Sequence, residues 1–241
     1  TDALRADSGD PIVLVTPAFP GTGRTVYQGH LFVGSVPLNE SPLKDHPLNP
    51  MHDANLVRVL ARQSRSKVGL VDLATVTEGA EAIRARLVGL VAAEAGAAIV
   101  DAVSDSELEV IGQVAPDARL SVGASGMGLG LARSLVASGR AGKASTIADP
   151  AAVGGPAACL AGSCSQATLA QIAQAERSMP VLRLDPDAIV AGGSEVARAL
   201  DWARRHLDRG PMLIASSATP DRVAALQARH GREAVGHAIE Q

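Results

Sequence analysis

The chain has 241 residues, 46% of them hydrophobic but only 2% aromatic, and a formal net charge of -3. That length buries a real core in one large domain or two modest ones, built from Ala, Val, Leu and Ile. A net-negative chain with so few rings is a poor match for a phosphate backbone or for stacked bases, and no apolar run approaches the roughly 20 residues of a membrane span.

Residues 1–5 read as neither a signal nor a transit peptide, and the chain opens on Thr1 rather than Met. Residues 11–16 form the first expected strand. Residues 21–51 are dense in Pro and Gly around short β-like pieces such as His30 to Val33. That is too long for a connection and reads as a hairpin-bearing insertion that carries function. Asp53 is placed to cap a helix over 54–63, and strand 67–72 follows. Thr77 is placed to cap a long helix to about residue 95, with Gly96 as its stop. Strand 97–101 comes next. Ser104 and Glu107 then spell a capping box, with strand 119–123 beyond it.

Residues 139–156, rich in Gly, Ala and Pro, read as a domain linker. Strands follow at 157–161, 180–184 and 211–215. Ser165 caps a helix over 166–176, and Thr219-Pro220 opens another. The strand runs are continuous rather than alternating, as in strands covered on both faces. The expected fold class is therefore α/β, with mainly parallel sheets and flanking helices in two domains, 1–150 and 151–241.

Common chemistry motifs fail. Gly142-Lys143 continues into Ala144 and lacks the earlier Gly of a phosphate-binding loop. Gly126 and Gly128 are followed by Leu131 where a dinucleotide fingerprint needs Gly. Counting from Gly162, Cys164 would be the nucleophile of an elbow motif, but Gln166 stands where its second Gly belongs. Cys159 and Cys164 make neither a disulfide scaffold nor a zinc site, and read as small packed residues in a reducing cytosol.

Two glycine stretches remain as anion sites. Gly162-Ser-Cys-Ser165 lies between strand and helix, where glycine lets a ligand approach and helix N–H groups are free; a plain Ser cap fits equally well. Gly123 to Gly130 fits either a backbone nest or close packing of a helix on the sheet. Asp72 and Asp101 end strands, where a carboxylate binds sugar hydroxyls or Mg²⁺, or caps a turn. His46 and His52 lack metal-ligand spacing, so no metal site is assigned.

The strings Pro17 to Val33, Asn39-Glu-Ser41, His46-Pro-Leu-Asn-Pro-Met51 and Asp53-Ala-Asn-Leu56 resemble the signature of the four-carbon acid sugar kinase family. Val100 to Val103, Gly123-Ala-Ser-Gly126 and Ala161 to Ser165 follow in the family's order, and the His46 block is most similar to 3-oxo-tetronate kinases. The resemblance implies a cytoplasmic enzyme with an N-terminal sugar-acid domain, residues 1–150, and a C-terminal nucleotide domain, 151–241. It implies transfer of the ATP γ-phosphoryl group, with Mg²⁺, to the terminal hydroxyl of 3-oxo-tetronate, threonate or erythronate. Arg24, His46, Asp53, Asn55, Ser125 and Gly126 are then the expected sugar-acid residues, and Gly162, Ser163 and Ser165 the expected ATP residues. Partners are the acid and ATP, with no nucleic acid or membrane, and a homo-oligomer is allowed. The family's Asp-Asp-x-Thr-Gly-Ala and Gly-Gly-Glu-Thr-Ser-Gly motifs do not occur, and Ala124 replaces a usual Gly. The chain is therefore expected to be incomplete at both ends, with the catalytic base outside it. A non-catalytic binding module is the alternative.

Overall fold

The computed structural model describes residues 1–45, 49–142 and 154–240. The chain divides into two compact units, Thr1–Ile147 and Ala148–Gln241.

The first unit opens with helix α1 (Asp2–Ser8) and strand β1 (Val13–Thr16). The Pro- and Gly-rich stretch then forms β2 (Arg24–Tyr27), β3 (His30–Val33) and the two-residue β4 (Val36–Pro37), paired antiparallel in that order. Helix α2 (Leu56–Ala61), β5 (Lys67–Val71), α3 (Leu73–Thr77), α4 (Ala80–Ala92) and β6 (Ala95–Val100) follow. Helix α5 (Asp105–Val114), β7 (Ser121–Gly123) and α6 (Ser125–Ala137) complete the unit. The parallel sheet has the order β5-β6-β1-β7. Every residue of β6 is buried, as its unbroken run of small and branched apolar residues anticipates. The core around it includes Leu14, Val71, Ile83, Ile99, Leu108 and Ile111.

Two expected helices are corrected. The helix expected from Thr77 starts later, at Ala80 (α4), and Thr77 is instead the last residue of the short α3. Asp72 caps the short α3 through the Thr75 amide, and Gly79 at φ 105° breaks the chain before α4. Gly96 is no helix stop but lies inside β6, where an added Cβ would sit 2.5 Å from Ser66 Cβ. The sharp turn falls instead on Glu94, at φ 65°. Helix α2 starts two residues later than expected. Asn55 accepts the Arg58 amide as its cap, because the Asp53 carboxylate is already taken by the Asn55 amide and the Arg58 guanidinium.

The Ser104–Glu107 capping box opens α5 as its spelling indicates. Helices α5 and α6 touch backbone to backbone. A Cβ on Gly130 would strike the Leu108 carbonyl, and one on Gly112 the Gly130 carbonyl. Gly123, Gly126 and Gly130 therefore serve close packing, while Gly128 faces open space; Gly126, Gly128 and Gly130 lie inside α6 rather than in a nest.

The second unit holds β8 (Ala158–Ala161), α7 (Gln166–Ala175), β9 (Val181–Arg183), α8 (Pro186–Val190) and α9 (Glu195–His206). Strand β10 (Met212–Ala215), α10 (Pro220–His230) and α11 (Arg232–Glu240) follow. Its parallel sheet runs β8-β10-β9, with Ile172 of α7 packed on Leu213 and Ala215. The expectation of packed cysteines fails: Cys159 is exposed on β8 and Cys164 half-buried in the next loop, both as free thiols. Both units are α/β with parallel sheets flanked by helices.

Candidate functional site

In the first unit the chemistry gathers at the carboxyl edge of the parallel sheet, where open α/β sheets bind ligands. The β2–β3 hairpin is fastened to that edge. Its two-residue turn, Gln28-Gly29, has φ of 48° and 69°, the left-handed pair of a type I′ turn. Gln28 is an unusual residue there, and the turn is held from outside. The fully buried Asp101 carboxylate, at the end of β6, accepts the amides of Gln28 (2.6 Å), Gly29 (2.9 Å) and Leu73 (3.1 Å). Burial pushes the Asp101 carboxyl above its ordinary value, and the three N–H donors oppose that rise. Val26 and Ala102 exchange backbone hydrogen bonds beside it. Asp101 thus spends its oxygens on backbone. Asp72 accepts both the amide and the hydroxyl of Thr75, which holds its carboxyl below the usual range.

At the other end of the hairpin, Arg24 pairs its backbone with Phe19. Its guanidinium is exposed and has no ion-pair or hydrogen-bond partner among the described residues. The Ala18–Phe19 segment lies against the start of α6: a Cβ on Gly126 would sit 2.5 Å from the Ala18 carbonyl and 3.0 Å from Phe19 Cα. Ser125, the first residue of α6, is exposed, and the cap position Ala124 has no side chain to satisfy the first-turn amides. The backbone of Arg24 and the start of α6, with its Ser125 hydroxyl and uncapped amides, thus lie on either side of the Ala18–Phe19 segment; a guanidinium, a hydroxyl and free helix amides are groups that suit a carboxylate or a phosphoryl group.

The other expected sugar-acid residues group elsewhere on the hairpin. Asn55 Nδ2 lies 3.2 Å from His30 Nε2, and its backbone bridges His30 at the turn end of β3. His30 was not among the sequence candidates; its place opposite Tyr27 in the hairpin is the signal that would have raised it. Asp53 bonds the Arg58 guanidinium at 2.7 Å and lies 3.4 Å from that of Arg62. The Arg58 hydrogen bonds come first in lowering its carboxyl to about 2. Arg24 and the Asp53–Asn55 group are at opposite ends of β2 and β3, roughly 10 Å apart along the strand. His46 lies outside the described residues.

In the second unit, Gly162 and Ser163 follow β8 at its carboxyl end. Ser165 caps α7, accepting the Thr168 amide at 3.2 Å, so the plain-cap geometry is present; Gly162, Ser163 and Ser165 are all exposed. Gly162 faces Ser216 of the next loop, a Cβ there coming 3.6 Å from the Ser216 Oγ. That loop, Ser216 to Thr219 between β10 and α10, is a site the motifs above do not include, although two hydroxyls after a strand and before Thr-Pro are a visible signal. The Ser217 Oγ is buried without a hydrogen-bond partner among the described residues. Asp185 and Asp187, after β9, are engaged by Arg222, and Asp187 also by Arg229. Among the described residues no group of three or more His, Cys, Asp and Glu is arranged to hold a metal ion.

The family model described as a sugar-binding N-terminal domain matches residues 1–131, and that of a nucleotide-binding C-terminal domain matches 158–241. The chain belongs to the four-carbon acid sugar kinase family. Similar relatives within this kinase family include a 3-oxo-tetronate kinase of Methylobacterium radiotolerans, 65% identical over 242 residues. Another, of Burkholderia multivorans, is 45% identical over 240 residues. The matches cover 99% and 100% of this chain but 57% and 56% of the relatives, so the chain spans little more than half their length. A crystal structure from Salmonella typhimurium LT2, described as a candidate tRNA synthase, superposes with a TM-score of 0.71 at 34% identity, over 99% of this chain and 56% of that one.

Proposed function

We propose that this chain is the working part of an ATP-dependent kinase that phosphorylates the terminal hydroxyl of a four-carbon sugar acid in the cytoplasm. The acid we favour is 3-oxo-tetronate, with threonate and erythronate as the nearest competitors. Residues 1–150 would hold the acid and 151–241 the nucleotide. The observation that carries the reading is Arg24, an exposed residue whose guanidinium has no partner among the described residues and whose backbone pairs with Phe19, the residue that lies against the uncapped start of α6, in a unit matched by a sugar-binding domain.

In this reading Arg24 grips the acid's carboxylate or the phosphoryl group in transit, its planar fork suiting either. Ser125 and the Gly126 amide share that charge, while Asn55, Asp53 and His46 shape the hydroxyl end of the pocket. Gly162, Ser163 and Ser165 lie against the ATP phosphates. Phosphoryl transfer asks mainly for such positioning and charge neutralisation: the acid's hydroxyl oxygen bonds to the γ-phosphorus as the bond to ADP breaks. Mg²⁺ would enter with ATP as part of the substrate, held chiefly by the phosphates. No catalytic base is assigned.

The test is calorimetric titration with 3-oxo-tetronate, threonate, erythronate and Mg-ATP, alongside an ADP-release assay. The expected result is binding of ATP and preferential binding of 3-oxo-tetronate, the latter lost in Arg24→Ala. Acid-dependent ADP release would show that this chain alone completes the reaction. Binding of both ligands without release would favour a binding module, a reading also raised by the chain's share of its relatives' length. No binding of either ligand overturns the proposal.

A further inference from the structure

At the turn end of the β2–β3 hairpin the hydrogen-bonding roles are assigned atom by atom. His30 Nδ1 lies 2.7 Å from the Gln28 carbonyl oxygen, which only accepts, so Nδ1 carries the proton. Asn55 turns its Oδ1 into the first turn of α2, where it accepts the Arg58 amide at 2.9 Å, and this fixes which end of its carboxamide faces His30. The facing atom is Nδ2, a donor, 3.2 Å from His30 Nε2. Nε2 is therefore the bare, accepting nitrogen, and His30 is assigned as the neutral Nδ1–H tautomer. The turn behind it is fixed as well. Asp101 holds the Gln28 and Gly29 amides, and the Gly29 carbonyl accepts the amide of Leu56, the residue after Asn55. A carboxamide has two N–H donors. One of Asn55's goes to His30, and the other has no partner among the described residues. Asn55 is half-buried rather than enclosed, so with its oxygen committed to the helix cap it presents a donor and no acceptor.

We infer that Asn55 selects a ketone over a hydroxyl at C3 of the acid, and that His30 is its positioning residue. This rests on the proposed binding of a four-carbon acid by the first unit, and it names the group that tells one such acid from another. A ketone oxygen only accepts, so the spare Asn55 N–H satisfies it. The C3 hydroxyl of threonate or erythronate accepts the same bond but brings a proton of its own, for which Asn55 offers no acceptor. The neighbouring Asp53 carboxylate is already engaged by the Asn55 amide and the Arg58 guanidinium. A hydroxyl proton left unpaired in a closed pocket costs enough to separate two substrates by roughly 10-fold or more. His30 supplies the second anchor of the carboxamide. Held at Oδ1 alone, the group is free to swing about one hydrogen bond; held at Nδ2 as well, its plane and the direction of the spare N–H are set. Asp101 fixes His30 in turn, through the Gln28 carbonyl that its own bonds keep in place.

The test is calorimetric titration of this chain with 3-oxo-tetronate and with threonate, read as the ratio of the two affinities, with Mg-ATP as the control for the second unit. Asn55→Asp keeps a good helix cap but turns the outward donor into an acceptor. It should lower the preference for 3-oxo-tetronate at least ~10-fold, with ATP affinity and far-ultraviolet circular dichroism unchanged. His30→Leu should weaken 3-oxo-tetronate binding, and His30→Gln, whose amide oxygen receives the same N–H, should keep most of it. Should Asn55→Asp fail to fold, Asn55→Ser, also a good cap but too short to present the donor, should lose the preference. Equal affinity of the wild-type chain for both acids, a ratio unchanged in the Asn55 variants, or an equal loss of both acids would each overturn the inference and leave the sugar-acid reading standing. His30→Leu binding like wild type, or His30→Gln no better than His30→Leu, would remove His30 from it. A wild-type chain that binds no acid would overturn the sugar-acid reading and this inference together.

Discussion

Arg24 and Asp101 act at opposite ends of one hairpin and are expected to fail differently. Arg24 is exposed and unpartnered, so Arg24→Ala should leave the melting temperature within about 1 °C of wild type. In the kinase it should lower turnover by at least ~10²-fold, the usual cost of losing a donor to developing charge. Asp101→Asn keeps the shape but turns one acceptor into a donor facing buried amides. It should destabilise the fold by about 1–3 kcal/mol in urea unfolding, the cost of leaving a buried N–H unsatisfied. Asp53 makes a prediction in pH. Its folded value of about 2 lies below the ordinary 3.8, so the stability it contributes is fully present above about pH 4 and is lost as the pH falls through 2. The melting temperature of Asp53→Asn should therefore lie below that of wild type at pH 7, and the gap should close between pH 4 and pH 2. Of these residues the sequence made Arg24 and Asp53 legible by type and context. It could not show that Asp101 would be consumed by three backbone amides, because two of them come from a hairpin more than 70 positions away.

Among the elements, all seven expected strands stand where their continuous apolar runs indicate, six of them trimmed by a residue or two and β6 beginning two residues early, at Ala95. Helix starts with a specific chemical spelling, at Ser104, Ser165 and Thr219, are equally well marked. The failures have a common cause. Thr77 and Asp53 have the right residue type for a cap, but Thr77 ends α3 and Gly79 precedes α4, while Asn55 caps α2 because Asp53 is held by Arg58. The glycines of α6 were ambiguous for the same reason, since a nest and a close helix contact call for one residue type. The present structure separates them by substitution. Gly130→Ala drives a methyl into the Leu108 carbonyl and should destabilise by about 1–3 kcal/mol. Gly128→Ala, in the same helix with nothing within 4 Å of its new methyl, should stabilise by about 0.5–1 kcal/mol. Chemical denaturation of the two variants side by side checks both signs.

For the whole molecule, two optical probes fall one to each unit. The only tryptophan, Trp202, lies on α9 stacked on His206, and the only tyrosine, Tyr27, lies on β2. The first unit has a broad core running from Ile12 to Met127, while the parallel sheet of the second is backed by Ile172, Leu213 and Ala215 with a few half-buried neighbours. Trp202 emission should therefore change at lower urea than the main loss of circular dichroism; coincident transitions would show one cooperative unit instead.

The glycine contacts of α6 have a consequence best put mechanically. The helix is pinned at Gly126 by the Ala18 carbonyl and at Gly130 by that of Leu108, two fulcrums roughly 6 Å apart along its axis. A rod held at two points can neither tilt nor slide. If Ser125 meets an anion as proposed above, the first turn of α6 that presents it is held in place by these two backbone contacts.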